Sequence, residues 1–305
     1  MKKEVFEQAR NFMYRNARPL DLARFQYHFE NGDKETVMNV LSFYQNADGG
    51  CGHAIEADYW NPNSSPMHTS VACEIIKEIN YKDKENPVIK GILSYLDSGK
   101  DFNGTGWNLL IESNNDYPHA PWWETESESV SHTVYNGTVQ LAGFIIRYAD
   151  RDSNLFQLGL RIIKEAIDEF IKNGLRDMHT CGSYIHMAQF IAQTDAIDLV
   201  DYETLHSKLH ETVNKLLVKD TTKWGGYVCK PSNFMNTKKS VFYDANKELA
   251  EYECEYIINT QLEDGSWNIT WSWDKYPDEW PISKNWWKGH LIIQNLLYLK
   301  GFGRI

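Results

Sequence analysis

Apolar residues recur at helical spacing along almost the whole chain. Residues 4 to 16 carry Val5, Phe6, Ala9, Phe12 and Met13 on one stripe, the mark of an amphipathic helix. A second helix is predicted from Pro19 to Phe29, stopping at Asn31-Gly32. A third runs from Asp33 to Tyr44, with Val37, Val40, Leu41 and Tyr44 on one face. Ser65-Pro66 marks the next start, Ser65 as N-cap and Pro66 in the first turn, ahead of Val71, Ala72, Ile75, Ile76 and Ile79. Helices follow near Asn86 to Leu96, through Val134, Leu141, Ala142, Ile145 and Ala149, and through Leu155, Ile162, Ile163, Ala166 and Phe170 up to Asn173-Gly174. The remainder are expected from about Arg176 to Thr194, through Leu205, Leu209, Val213 and Leu216, from about Asp244 to Thr260, and from about Trp286 to Lys300. No alternating strand pattern interrupts them, so the chain reads as all-α.

One short phrase occurs twice. Gln45-Asn46-Ala47-Asp48-Gly49-Gly50 ends one helical stretch, and Gln261-Leu262-Glu263-Asp264-Gly265-Ser266-Trp267 ends another. Asp-Gly after an apolar helix is a stop signal, because Gly takes the left-handed conformation and Asp bonds the local backbone. A Gln in the last turn can bond exposed backbone beyond it, and a Trp past the turn can lie over the next helix. The phrase therefore reads as a clip between repeated helical units. Trp107 and Trp224 mark degenerate copies. Stacked hairpins that close into a ring bury every apolar face and leave no ends to cap. The expected fold is a single domain over residues 1–305: a closed α/α barrel of helical hairpins with long aromatic-rich loops on one rim.

Gln261-x-x-Asp264-Gly265-x-Trp267 resembles the QW repeat of squalene cyclases and the related repeats of protein prenyltransferase β subunits. Gln45-x-x-Asp48-Gly49-Gly50-x-Gly52 is similar, with Cys51 where an aromatic is usual. The stretches from Gly52 to Asp58 and from Pro118 to Trp123 also resemble a group of bacterial proteins similar to those cyclases. The resemblance implies an α/α toroid and a bulky apolar, isoprenoid-like ligand. The family's reacting groups are missing from the pattern: the chain has no adjacent Asp-Asp, hence neither Asp-x-Asp-Asp nor Asp-Asp-x-x-Asp, and no Asp-x-Cys zinc motif.

Composition narrows the function classes. A formal net charge of -11 without a Lys/Arg cluster argues against nucleic acid. Leu291 to Leu299 is too short to span a bilayer. The five cysteines are odd in number and scattered, which reads as a reduced, cytoplasmic protein. Eleven Trp, seventeen Tyr and thirteen Phe, many in loops, suggest a lined cavity and a small-molecule ligand.

Several residues are candidates, each with a structural alternative. Glu56 and Asp58 can be a general acid and its partner or can orient helix ends. His119, between two prolines and beside two tryptophans, can donate a proton or lock its loop. His53, Trp60, Trp122, Trp123, Trp271, Trp273, Trp286, Trp287 and His290 are expected to contact ligand, by cation–π contact or by stacking on sugar rings, or else to pack loops. His179 and Cys181, with His186 or His290, can hold zinc; a reduced structural Cys at a helix start is the alternative. No other cofactor is implied. Glu251, Glu253 and Glu255 are expected on a solvated face. Besides the apolar-ligand reading, a carbohydrate-active enzyme using Glu56 with Asp58, or Glu124 with Glu126, stays open, as does a non-catalytic binding protein.

Overall fold

The computed structural model describes residues 2–126 and 135–305; the expected helical position Val134 lies outside them. Among the described residues the regular structure is helical, and β-pairing is confined to isolated bridges. The α-helices are α1 (Lys2–Asn16), α2 (Pro19–Phe29), α3 (Lys34–Leu41), α4 (Pro66–Glu78), α5 (Pro87–Asp97), α6 (Thr138–Tyr148), α7 (Asn154–Asn173), α8 (Met178–Ile191), α9 (Tyr202–Leu216), α10 (Lys247–Asn259) and α11 (Trp280–Gly301).

Local chemistry accounts for the boundaries. The Ser65 hydroxyl accepts the His68 N–H at 3.1 Å, Asn86 accepts Val88 N–H at 2.9 Å, and Ser153 accepts Phe156 N–H at 3.1 Å. Each satisfies a donor that the first helical turn leaves open. Two ends differ from the sequence pattern. α11 begins at Trp280 rather than Trp286, because Pro281 serves as a first-turn residue and not as a loop breaker. α3 stops at Leu41, and its last turn tightens into a 3-10 segment, Ser42–Tyr44.

The chain forms two compact units, one of residues Met1–Val40 with Val213–Ile305 and one of Leu41–Thr212. In the continuous unit, α6 is apolar on nearly every face and packs against α4, α5, α7 and α8. In the discontinuous unit, α11 packs against α1, α2 and α10, which brings the two ends of the chain into one core.

The two clips have the same geometry. Gln45 Nε2 donates to Gly49 O at 2.8 Å and to Val88 O at 2.9 Å, in the first turn of α5. Gln261 Nε2 donates to Gly265 O at 2.9 Å and to Val5 O at 2.9 Å, in the first turn of α1. Asp48 Oδ1 accepts Gly50 N–H at 3.1 Å, and Asp264 Oδ1 accepts Ser266 N–H at 2.9 Å. Lys100 and Lys288 hold the second carboxylate oxygens at 3.0 and 2.7 Å. Gly49 (φ 86) and Gly265 (φ 88) lie in the left-handed region. A Cβ on either would come within 2.1 Å of Gly91 O or 2.2 Å of Gln8 O. The tryptophan departs from expectation: Trp267 Nε1 donates to Ile257 O at 2.8 Å, so the ring lies back over α10, the helix before the clip.

Gly265→Ala combines a strained φ with a backbone clash and is expected to cost about 2–4 kcal/mol. Gln261→Leu keeps the bulk but removes two donors and is expected to cost about 1–3 kcal/mol. Urea unfolding of both variants checks these values, and unchanged midpoints would mean that the clip is not holding α1.

Candidate functional site

Two clusters gather the residues singled out above, one in each unit. In the continuous unit, the loop after the first clip is pinned to the loop before α6. Trp60 N–H donates to Pro118 O at 3.0 Å and Ala120 N–H to Asp58 O at 2.8 Å. Tyr59 stacks on His68 (centroids 4.1 Å apart) and on Trp123 (5.8 Å), and its hydroxyl bonds Asn114. His68 is completed by Ser65 Oγ at 3.1 Å and Tyr59 O at 2.9 Å. Glu56 and Asp58 are 6% and 2% exposed, and Glu56 Oε2 accepts the Asp58 N–H at 2.8 Å. His119 is buried, with Nδ1 donating to Tyr117 O at 2.6 Å. His53 is exposed, in a left-handed conformation (φ 58), with Nε2 2.9 Å from Asn46 Oδ1. Trp60 is half-buried, its indole N–H on Ala57 O at 3.2 Å; Trp122 is also half-buried. These residues are brought together where the two loops meet, and the backbone bonds from Trp60 to Pro118 and from Ala120 to Asp58 join the loops.

In the discontinuous unit, an aromatic row runs from Tyr227 to Trp271 (5.6 Å between centroids), on to Trp287 (5.1 Å), and from there to His290 (5.3 Å), each ring edge-on to the next. Tyr227 is 53% exposed, and Trp271, Trp287 and His290 are half-buried. The Trp287 indole nitrogen is buried without a hydrogen-bond partner in the fold. Trp273 is buried and packs against Tyr276 and Trp280. Trp286 carries the Arg18 guanidinium 5.3 Å above its ring.

Behind that row lies a charged group that the sequence reading missed. Asp21 is fully buried on α2, its Oδ2 accepting Arg18 Nε at 2.8 Å and its Oδ1 accepting Arg24 Nη1 at 3.0 Å. Arg24 Nη1 also lies 3.4 Å from His290 Nδ1. Burial alone raises the Asp21 carboxyl, but the pull of Arg18 and Arg24 carries it below the usual carboxylate range. Arg18, Asp21 and Arg24 recur every third residue in a helix otherwise rich in Leu, Ala and Phe, which was the available signal.

His179 and Cys181 both belong to the first turn of α8, His179 exposed and Cys181 buried. Two positions apart on a helix, they point about 200° from each other. Asp177 caps that turn, accepting His179 and Thr180 N–H at 2.9 Å each. Among the described residues no group of three or more His, Cys, Asp or Glu is placed to hold a metal ion. The glutamates of α10 are not one solvated face. Glu253 is 1% exposed and accepts Ser232 N–H at 2.8 Å and Ser232 Oγ at 2.6 Å. Burial raises its carboxyl against those two donors. Glu251 accepts Lys238, at 2.7 Å, together with Tyr243 and Arg304, which hold it at about 2.

The chain matches no protein-family model, no curated protein and no solved structure. No helix among the described residues is long and apolar enough to cross a membrane.

Asp21→Asn leaves two guanidiniums against each other without their anion and is expected to cost about 3–5 kcal/mol at neutral pH. The folded Asp21 pKa is depressed, so its contribution is full above the unfolded value near ~4 and is lost as pH falls through the lower folded value. Denaturant titrations should show the gap between the two proteins narrowing only at strongly acid pH.

Proposed function

We propose that this protein is a terpenoid cyclase/prenyltransferase-like α/α toroid that binds a bulky apolar, isoprenoid-like ligand against its tryptophans. The observation that carries the reading is the row Tyr227, Trp271, Trp287 and His290, an aromatic wall that is only half-covered. Such a wall offers large apolar area with little conformational entropy to lose. The repeat plan of the reading is supported by the second clip, which grips the chain's first helix as the first clip grips α5. A glycoside-cleaving reading is less favoured, because Glu56 and Asp58 are buried and Glu56 is bonded to the Asp58 backbone. Such enzymes need a carboxyl pair open to a sugar and a water. Without an Asp-Asp motif, binding is the reading, not acid-initiated cyclisation.

Tryptophan fluorescence and thermal-shift titrations with long-chain isoprenoid alcohols and with oligosaccharides test this. Isoprenoid alcohols should stabilise the protein, and Trp271→Ala or Trp287→Ala should weaken binding by about tenfold, or 1.4 kcal/mol. Trp287→Phe, which keeps an aromatic ring in the wall, should lose less affinity than Trp287→Ala. Stabilisation by oligosaccharides alone, or by neither class, overturns the proposal.

A further inference from the structure

The chain holds four Asn-Gly pairs, beginning at Asn31, Asn103, Asn136 and Asn173. Such a pair can close a five-membered ring, because the nitrogen of a residue without a Cβ can reach the asparagine side-chain carbonyl carbon. The fold ties up three of the four glycine N–H groups. Gly32 donates to Gln26 O at 3.1 Å and Gly174 to Phe170 O at 2.9 Å, and Gly137 donates to Ser183 Oγ at 3.2 Å. The Gly104 N–H finds no acceptor among the described residues. Asn103 and Gly104 are exposed, and a Cβ on Gly104 (φ 96) would meet open space. The turn is a variant of the clip. Asn103 Oδ1 accepts the Thr105 N–H at 3.0 Å, as Asp48 and Asp264 accept the N–H two residues on, and Gly104 shares the left-handed conformation of Gly49 and Gly265. Two features differ. In the clips the glycine N–H is spent, Gly49 on Asn46 O and Gly265 on Leu262 O, each at 2.9 Å. Asn103 Oδ1 also accepts a second N–H, from Gly106 at 3.0 Å, while Asn103 Nδ2 donates to Asn108 Oδ1 at 2.9 Å.

We propose that Asn103-Gly104 is a self-modifying site, which turns Asn103 into aspartate and isoaspartate through a cyclic imide. Hydroxide takes the Gly104 amide proton, giving water. The nitrogen pair attacks Asn103 Cγ, forming the N–C bond while the C=O π pair moves to Oδ1. The Thr105 and Gly106 N–H groups already stand at hydrogen-bond distance from that oxygen and hold its charge as an oxyanion hole does. The pair then returns from Oδ1 and the Cγ–Nδ2 bond breaks. Nδ2 takes a proton from water and leaves as ammonia, which regenerates the hydroxide. Water opens the imide: attack at Cγ gives aspartate, and attack at the Asn103 backbone carbonyl gives isoaspartate. The sum is amide plus water to carboxylic acid plus ammonia, with no redox partner. Isoaspartate lengthens the main chain by a methylene at this turn. That loosens the bond from Asn103 N–H to Gly106 O (3.0 Å) and the bridge between Phe102 and Trp107. The same turn holds Trp107 buried, with its backbone N–H on Thr138 Oγ1 at 3.0 Å.

The test is storage of the full-length protein at mildly alkaline pH, folded and in urea, followed by peptide mapping over time. Conversion is read at each pair as replacement of the amide nitrogen by oxygen, and isoaspartate as a product that Asp-N protease does not cut. In the folded protein Asn103 should convert at least about tenfold faster than Asn31, Asn136 and Asn173. Urea should remove that gap, because it releases the other three glycine N–H groups. The rate should rise with pH, since hydroxide takes the first proton. Asn103→Gln, whose longer side chain cannot close the five-membered ring, should abolish the fast conversion. Hydrogen exchange at the Trp107 and Asn108 N–H groups should quicken as the wild-type protein converts, and not in Asn103→Gln. Mapping of the wild-type protein decides by itself if the variant misfolds. Conversion of Asn173 as fast as Asn103 in the folded protein, or conversion of Asn103 faster in urea than in the fold, overturns the proposal.

Discussion

α5 and α1 are each gripped at the first turn by one glutamine side chain, which donates both amide hydrogens to backbone carbonyls. One hydrogen goes back to the clip's own glycine, the other to the first turn of a different helix. Only glutamine suits this task among the similar residues. Glutamate has no donor, and asparagine is a methylene shorter. The glycine completes the grip: a Cβ there would strike the carbonyl three residues beyond the one Gln takes, Gly91 after Val88 and Gln8 after Val5. Each clip therefore reads one full turn of the helix it holds.

Around these grips the protein buries an unusual amount of polarity. The loops at Tyr59 and His119 and the Ser232–Glu253 contact are closed by hydrogen bonds from another part of the chain, and the Arg18–Asp21–Arg24 group by bonds three residues apart at the start of α2. Such groups are costly when half-satisfied and rigid when complete. They fix the long loops that a helical scaffold cannot fix by apolar packing.

Legibility in the sequence followed the range of the interactions. The helices were readable because apolar spacing, Ser65, Pro66 and Gly174 act within a few residues. The clips were readable because Gln, Asp and Gly act within one turn of chain. Trp267 was assigned to the wrong helix, since a Trp past a turn can fold forward or back and only the position of Ile257 O decides. Glu253 looked solvated because its partner lies on a separate loop, at Ser232. Lys77 and Gln189 meet across 112 residues, and neither is unusual in its own neighbourhood. Glu56, Asp58 and His119 were found as a cluster, but the sequence carries no sign of how their polar atoms are used.

The grip of Gln261 on Val5 spans 256 residues, which gives the chain a direction in time. During synthesis at about 5–20 residues per second, α1 waits on the order of ten to fifty seconds for the residue that holds it. The segment from Leu41 to Thr212 forms a compact unit from a continuous stretch and can pack within itself once it has emerged. The helix made first is therefore among the last to be fully secured, since α2 reaches it at once but its clip and α11 come only at the end of synthesis.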